Sequence, residues 1–171
     1  MNIKILNEIA VQMVADSKGI LAMDESNGTI KKRFDALKIE SNEDNRRIYR
    51  DMLVTTDSLS NYISGAILFD ETINQKTISG DTFPAFLENT GIIPGIKVDT
   101  GAKPFSCHKN EKITEGLDNL PERMEKYKTL GAKFAKWRAV ITPGDNIPTK
   151  ACMIANARAL ARYASICQEV D

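Results

Sequence analysis

The sequence has no excess of charge of either sign, because its 23 lysines and arginines balance its 23 aspartates and glutamates. Readers of nucleic acid or of anionic membrane surfaces normally carry a basic excess, so we expect neither partner. No stretch approaches the roughly 18 uninterrupted apolar residues of a membrane span. With 42% apolar and 27% charged residues in 171, the composition is instead that of an ordinary globular protein.

Histidine and cysteine are also scarce. A single histidine, His108, cannot build a histidine metal site. The three cysteines (Cys107, Cys152 and Cys167) are odd in number and form no CxxC pair, which indicates reduced thiols in a cytoplasmic protein. Residues 1–19 have charges scattered among apolar positions and predict an amphipathic helix, not a secretory signal.

Short apolar runs alternate with segments of helical period along the rest of the chain. The runs share the length of a buried strand and are GILAMD (19–24), GAILFDE (65–71), GIKVD (95–99) and FAKWRAVI (134–141). Helical patterns cover 42–55 and 116–130 and follow Pro148. This alternation predicts one domain over 1–171, with a parallel sheet covered by helices. A doubly wound sheet and a (β/α) barrel share the pattern.

Ionisable side chains interrupt the apolar strands. Alternation puts Lys97 and Asp99 on one face of the third strand and Lys136 and Arg138 on one face of the fourth, while Asp24 closes the first. Such charges persist in a sheet when they pair or when they serve chemistry. Because sites lie at the carboxyl ends of parallel strands, we expect a cationic pocket there for a phosphorylated or carboxylated small molecule. Structural ion pairs, for instance between Asp24 and Lys136, are the alternative.

The segment after Asp24 is rich in hydroxyls and cations, since SNGT (26–29) is followed by KKR (31–33). A turn of this kind can present amides and cations to a phosphate, although SNGT is also an ordinary turn sequence. The residues alone place Arg46 and Arg47 on a solvated helix face. They predict a polar loop over DTGAKPFSCHKNE (99–111).

Seven blocks of the sequence, in order, resemble class I fructose-bisphosphate aldolase. They are KGILAMDESNGTI, EDNRRIYR, GAILFDETI, GIIPGIKVD, GLDNLPER, YKTLGAKFAKWRAVI and NARALARYASICQ. The resemblance runs from about residue 18 to the carboxyl terminus. Several blocks in the correct order and spacing are far more specific than any one of them.

The resemblance implies an α/β fold of the (β/α) TIM-barrel family. It also implies reversible cleavage of fructose 1,6-bisphosphate, a glycolytic step that yields dihydroxyacetone phosphate and glyceraldehyde 3-phosphate through a lysine Schiff base, with no metal or cofactor. Asp24 matches the aspartate that handles the C4 hydroxyl proton. Lys136 matches the lysine that assists carbinolamine formation by electrostatics. The implied substrate-binding residues are Ser26, Thr29, Arg33, Arg46, Lys97 and Arg138.

The family barrel has eight strands, and four are counted here, so we expect a half-barrel made of the first four β/α units. The resemblance places the Schiff-base lysine outside these units. A half-barrel leaves two sheet edges unpaired, so a homo-oligomer or a chain that completes the barrel is expected as partner. Two alternatives stay open. One is a catalytically silent half-barrel that binds a phosphosugar or a partner, and the other is a different phosphosugar enzyme with Lys136 as its own nucleophile.

Overall fold

The computed structural model describes residues 2–170, which contain one parallel sheet and one separate hairpin. The parallel strands are β1 (Gly19–Ala22), β2 (Ile63–Leu68), β3 (Ile93–Lys97) and β6 (Phe134–Lys136), in the order β1-β2-β3-β6. The antiparallel hairpin consists of β4 (Gly101–Pro104) and β5 (Lys112–Glu115). The four predicted strands are confirmed, although the fourth ends at Lys136, well before the end of its apolar run.

Helices connect and cover the strands. They are α1 (Ile3–Met13), α2 (Asn27–Ala36), α3 (Glu43–Val54), α4 (Asp70–Ile73), α5 (Phe83–Asn89), α6 (Leu120–Thr129) and α7 (Lys150–Val170). The predicted helices at the amino terminus, over 42–55, over 116–130 and after Pro148 are therefore confirmed. Asn42 begins α3 by accepting a hydrogen bond from the Asn45 amide at 2.8 Å. Gly131 follows α6 with φ +104°, a conformation that suits a helix end.

Two predictions of irregular chain are wrong. The SNGT segment begins α2, because Ser26 takes an extended N-cap conformation and its carbonyl accepts the Ile30 amide at 3.0 Å. The segment predicted as a polar loop over 99–111 contains β4 and the turn of the hairpin. Its tip holds Cys107 and Asn110 at positive φ, which reverses the chain.

The hydrophobic core lies between one face of the parallel sheet and helices α5, α6 and α7. Ala66, Leu68 and Ile96 supply the sheet side and are fully buried. The helices contribute further buried side chains to the same cluster, namely Leu87, Leu120, Met124, Tyr127, Ile166 and Val170. A sheet that faces helices on one side along its whole length matches one wall of a (β/α) barrel.

The opposite face of the sheet is built around the ring of Phe134. The ring lies against Gly95 on the neighbouring strand and Gly65 on the next one. A Cβ added to Gly95 would overlap the ring, and one added to Gly65 would approach it to 3.2 Å. Three strands therefore share a single aromatic contact, and the absence of two side chains makes room for it.

Both outer strands of the parallel sheet have an unpaired edge. Within residues 2–170, β1 pairs only with β2, and β6 pairs only with β3. Ile20 of β1 is 41% exposed, which is unusual for an apolar residue of a parallel strand. None of the helices described here is long and apolar enough to cross a membrane.

The contact between Gly95 and Phe134 gives a stability test. We expect Gly95→Ala to lower the free energy of unfolding by about 1–3 kcal/mol, because the new methyl group overpacks the site. The Phe134→Leu background should remove most of this cost. Urea denaturation followed by circular dichroism measures both. Gly28→Ala is the matched control, since its Cβ would meet nothing within 4 Å, and equal effects of the two glycine substitutions would contradict the overpacking.

Candidate functional site

An ion pair joins the two outer strands of the parallel sheet. Lys136, the last residue of β6, donates from Nζ to Oδ2 of Asp24, just beyond β1, at 2.5 Å. Three strand spacings of about 4.8 Å would separate these strands by roughly 14 Å in a flat sheet. An extended lysine and an aspartate cannot span that distance. The sheet is therefore curved, and the pair lies on its concave face, as expected of a barrel wall.

Lys97 lies beside this pair, because Lys97 of β3 and Lys136 of β6 are register partners. Its ammonium group donates to the backbone oxygen of Asp99 at 2.8 Å and lies 3.1 Å from the Asp99 carboxylate. The Lys97 and Asp99 side chains are 13% and 0% exposed. The structure thus brings Asp24, Lys97 and Lys136 to one rim. Each lysine has a carboxylate partner, so the predicted ion pair between Asp24 and Lys136 is present as well.

Ser26 and Thr29 lie at the start of α2, directly after Asp24. Their hydroxyl oxygens are 3.1 Å apart, and both residues are exposed. The Ser26 side chain makes no capping hydrogen bond, so it does not satisfy the first amides of the helix. Ser26 and Lys97 also line one cavity of about 490 Å³. The charged lining of this cavity consists of Lys97, Arg123 and Lys126 together with the carboxylates of Asp70 and Asp99. Three cations and a helix amino terminus outnumber two acids, which favours an anion.

The far wall of this cavity comes from α6, which the sequence did not assign to the site. Tyr127 donates its hydroxyl hydrogen to Asp70 at 2.7 Å, and burial together with this bond raises the pKa of Tyr127 to about 12. Arg123 donates to the Val98 backbone oxygen at 2.5 Å. Both contacts tie α6 to segments that follow the strands, and so they fix the shape of the cavity.

A group of arginines and glutamates surrounds the ends of β1 and β2. Arg46 makes a two-point ion pair with Glu71, with nitrogen–oxygen distances of 2.5 and 2.8 Å. Arg33 pairs with Glu25. The Arg46 side chain is only 11% exposed, so its predicted place on a solvated helix face is wrong. Arg33, by contrast, is 54% exposed and remains at the surface.

Arg138 is not brought to the ion pair by any contact. It lies beyond the end of β6, and its residue is exposed. The backbone oxygen of Arg138 accepts a hydrogen bond from the Thr114 hydroxyl at 2.6 Å, which anchors this segment to the hairpin. Its side chain has no hydrogen-bond or ion-pair partner among residues 2–170.

Sequence reasoning missed Arg50 and Glu25 and gave Glu71 no partner. Arg50 is fully buried on α3 and lies 3.3 Å from the Glu71 carboxylate. Arginines four residues apart on a polar helix resemble a solvated face, and Glu71 lies on a segment distant in sequence. The second apolar run ends in two acids, Asp70 and Glu71, and this pattern predicts cations close to them. Among residues 2–170, no three histidine, cysteine, aspartate or glutamate side chains are grouped to hold a metal ion.

Comparison with known proteins shows the family to which the chain belongs. The family profile of class I fructose-bisphosphate aldolase matches residues 5–171. The chain belongs to the class I fructose-bisphosphate aldolase family. A probable class 1 aldolase of Xanthomonas campestris is 59% identical over 169 residues, and fructose-bisphosphate aldolase 2 of Caenorhabditis elegans is 50% identical over 163 residues. The family resemblance stated from the sequence is thereby confirmed.

Aldolase structures show the same backbone. The aldolase of Plasmodium falciparum, solved in complex with TRAP and a small-molecule inhibitor, superposes with a TM-score of 0.94 at 48% identity. The match covers 98% of this chain and 49% of the Plasmodium chain. The two relatives above are covered over 51% and 44% of their lengths, against 99% and 95% of this chain. The chain thus spans about half the length of the aldolases it matches.

The pairing of Glu71 predicts part of the pH dependence of stability. The hydrogen bond from Arg46 holds the pKa of the Glu71 carboxyl group below its ordinary value. Its stabilising effect is therefore present above about pH 4.3, the ordinary pKa, and is lost as the pH falls through the lower folded value. We expect Glu71→Gln to cost about 3 kcal/mol or more at pH 7, because it leaves Arg46 and the buried Arg50 without their carboxylate.

Urea denaturation between pH 7 and pH 3 tests this assignment. The unmodified chain should lose stability on acidification, and Glu71→Gln should flatten that loss. Glu88→Gln is the control, because Glu88 pairs with Lys133 at 3.5 Å on the surface and its side chain is 61% exposed. Superimposable pH curves for the unmodified chain and Glu71→Gln would show that Glu71 is not stabilised as an anion.

Proposed function

We propose that this chain forms the first four β/α units of a class I fructose-bisphosphate aldolase barrel and acts in the reversible cleavage of fructose 1,6-bisphosphate. The contact between Lys136 and Asp24 on the concave face carries the proposal. It gathers an acid–base group and a cation at the carboxyl ends of the strands, where barrel enzymes hold their substrates. The kinship with aldolases supports the choice of reaction.

Asp24 and Lys136 are the proposed catalytic residues. In the retro-aldol direction, the C3–C4 bond breaks as the C4 hydroxyl loses its proton, and Asp24 supplies the carboxylate that handles this proton. Lys136 supplies a fixed positive charge beside the reacting carbon and beside Asp24. The Schiff-base lysine lies on a later strand of the family barrel, outside this chain. The proposed reaction therefore requires the rest of the barrel.

Lys97, Ser26 and Thr29 are the proposed residues for one phosphate of the substrate. Arg138, which no contact brings to them, is proposed as a further cation for it. The cavity shared by Ser26 and Lys97 supports this role, as does the free amino terminus of α2. Lys97 has three N–H donors and can bind a phosphate while it keeps its contact with the fully buried Asp99 carboxylate. Arg138 has no partner to give up within residues 2–170.

Arg33 and Arg46 are proposed substrate-binding residues as well. Both hold a carboxylate, Arg33 that of Glu25 and Arg46 that of Glu71. Arg33 is the more exposed of the two and has the freedom to turn toward a phosphate. Arg46 is largely shielded from water and its charge is neutralised at two points by Glu71, so we propose that it binds substrate by exchanging that carboxylate for a phosphate.

The proposed partner is a segment or second polypeptide that carries four further β/α units. Two features favour such a partner: the unpaired edges of β1 and β6, and the exposed side chain of Ile20. The strands of the partner would pair with the open edges, and its inner face would cover Ile20. A homo-oligomer is the other partner that would cover these edges. The thiols of Cys107, Cys152 and Cys167 are free, which agrees with the proposed cytoplasmic location.

A trapping experiment separates this proposal from its alternatives. The chain is mixed with a polypeptide holding the last four β/α units of the Xanthomonas relative, and dihydroxyacetone phosphate and borohydride are added. We expect the reduced adduct on the second polypeptide. An adduct on Lys136 would instead support an enzyme with its own nucleophile, and retained ligand binding with no adduct would support a silent half-barrel.

The role of Asp24 gives a second readout in the same mixture. Asp24→Asn should lower the rate of fructose 1,6-bisphosphate cleavage by a factor on the order of 10² to 10⁴, because the proton acceptor is lost. Schiff-base trapping should persist in this variant. Asp35→Asn is the control, since Asp35 pairs only with Lys31 on the surface of α2. A cleavage rate unaffected by Asp24→Asn would overturn the catalytic assignment.

The phosphate site can be tested on the chain alone. Isothermal titration with fructose 1,6-bisphosphate should show binding about tenfold weaker for Lys97→Gln, because one charge-assisted hydrogen bond is lost. Lys103→Gln on the exposed hairpin is the control and should bind as the unmodified chain does. An unmodified chain that binds no ligand would contradict a phosphate site in this half.

A further inference from the structure

Arg50 is a fully buried cation that the proposed reaction does not use. Its guanidinium group donates from Nη2 to the backbone oxygen of Glu25 at 2.6 Å and from Nη1 to Glu71 Oε2 at 3.3 Å. The group also lies over the ring of Phe69, 5.5 Å from the ring centroid. Arg50 therefore joins the segment after β1 to the segment after β2.

Packing alone does not explain an arginine at this position. Burial lowers the pKa of Arg50, which records the cost of removing the charge from water. A methionine of similar length would fill the space at less cost, since apolar replacements of buried ion pairs are often neutral or stabilising. A methionine would lack the N–H groups directed at the Glu25 carbonyl. The hydrogen bonds to this carbonyl and to the Glu71 carboxylate are thus what the arginine adds.

The Glu25 carbonyl matters because regular pairing of β1 has ended before it. Strand β1 ends at Ala22, and the last sheet hydrogen bond beyond it is donated by the Met23 amide to the Ile67 oxygen at 3.2 Å. Among residues 2–170, the backbone amides of Asp24 and Glu25 have no backbone partner. The peptide between Glu25 and Ser26, one unit beyond Asp24, is therefore held by Arg50 and not by the sheet.

We propose that Arg50 is a positioning residue: by gripping the carbonyl of Glu25 and the carboxylate of Glu71, it fixes the backbone from which Asp24 reaches Lys136. This inference rests on the proposed function, because it assigns Arg50 to the placement of the two catalytic side chains. Arg50 itself touches neither of them. Arg50 acts on Asp24 through the peptide unit between Asp24 and Glu25.

The reactivity of Lys136 reports the placement of Asp24 without any turnover. An amine held against a carboxylate reacts slowly with an acylating N-hydroxysuccinimide ester, and it reacts faster once the carboxylate moves away. Mass spectrometry gives the labelling rate of Lys136 relative to Lys4, whose side chain is 85% exposed. The labelling rate of Lys97 is measured as well, because general loosening of the rim would raise the labelling rates of Lys97 and Lys136 together.

We expect Arg50→Met to raise the relative labelling rate of Lys136 by a factor on the order of ten, as for the loss of one charge-assisted hydrogen bond. Asp24→Asn gives the upper reference for an unpaired Lys136. Arg50→Lys keeps the charge but can donate toward only one of the two acceptors. The labelling rate of Lys136 in this variant should therefore lie between the rates in the unmodified chain and in Arg50→Met. Arg47→Met is the control on the same helix, with a side chain 29% exposed, and should leave Lys136 unchanged.

The inference is overturned if both Arg50 variants label Lys136 at the unmodified rate while Asp24→Asn raises it. It is also overturned if the labelling rates of Lys97 and Lys136 rise together, because that result is expected of an arginine with a purely structural role. Should Arg50→Met fail to fold by circular dichroism, the intermediate rate of Arg50→Lys carries the test. Failure of the aldolase proposal can be told apart from these results. The completed barrel would then cleave no fructose 1,6-bisphosphate, whatever the labelling rates are.

Discussion

The ion pair between Lys136 and Asp24 is the contact that gives the sheet its shape. It joins Asp24, which lies just beyond the first strand, to the last residue of the fourth strand of the sheet, and the two side chains meet because the sheet curves. The two groups are in direct contact and largely shielded from water, with side chains 28% and 9% exposed. Curvature and the charged rim are therefore coupled, since the interaction that brings the strand ends together also gathers the ionisable side chains there.

A ring of paired charges supports this contact at the ends of β1 and β2. Arg33, Arg46 and Arg50 face Glu25 and Glu71, so three cations meet two anions. Glu43 also interacts electrostatically with Arg46, so the group as a whole is neutral. Its shielded pairs, those of Arg46 and Arg50 with Glu71, contribute little net stability and cost several kcal/mol when one partner is removed. The arrangement is better suited to a fixed geometry of the segments after β1 and β2 than to a more stable core.

The sequence predicted the parallel sheet and its charged rim because both follow from local patterns. GIKVD and FAKWR alternate in a way that places Lys97 and Lys136 on one face, and continuous apolar runs are typical of strands covered by helices. Arg46, Arg50 and Glu71 could not be placed from the residues alone, because their contacts join positions more than twenty residues apart. The start of α2 was missed since Ser-Asn-Gly-Thr suits a turn and a helix N-cap equally well.

The ring of Phe134 on two glycines restricts how this sheet can change over evolution. A larger residue at position 95 is acceptable only with a smaller one at 134, and position 65 senses the same exchange. The three strands are therefore coupled, because a larger residue at one of these positions requires a compensating substitution at another. Related chains should show correlated substitution at these three sites, whatever substitutions occur at the charged rim.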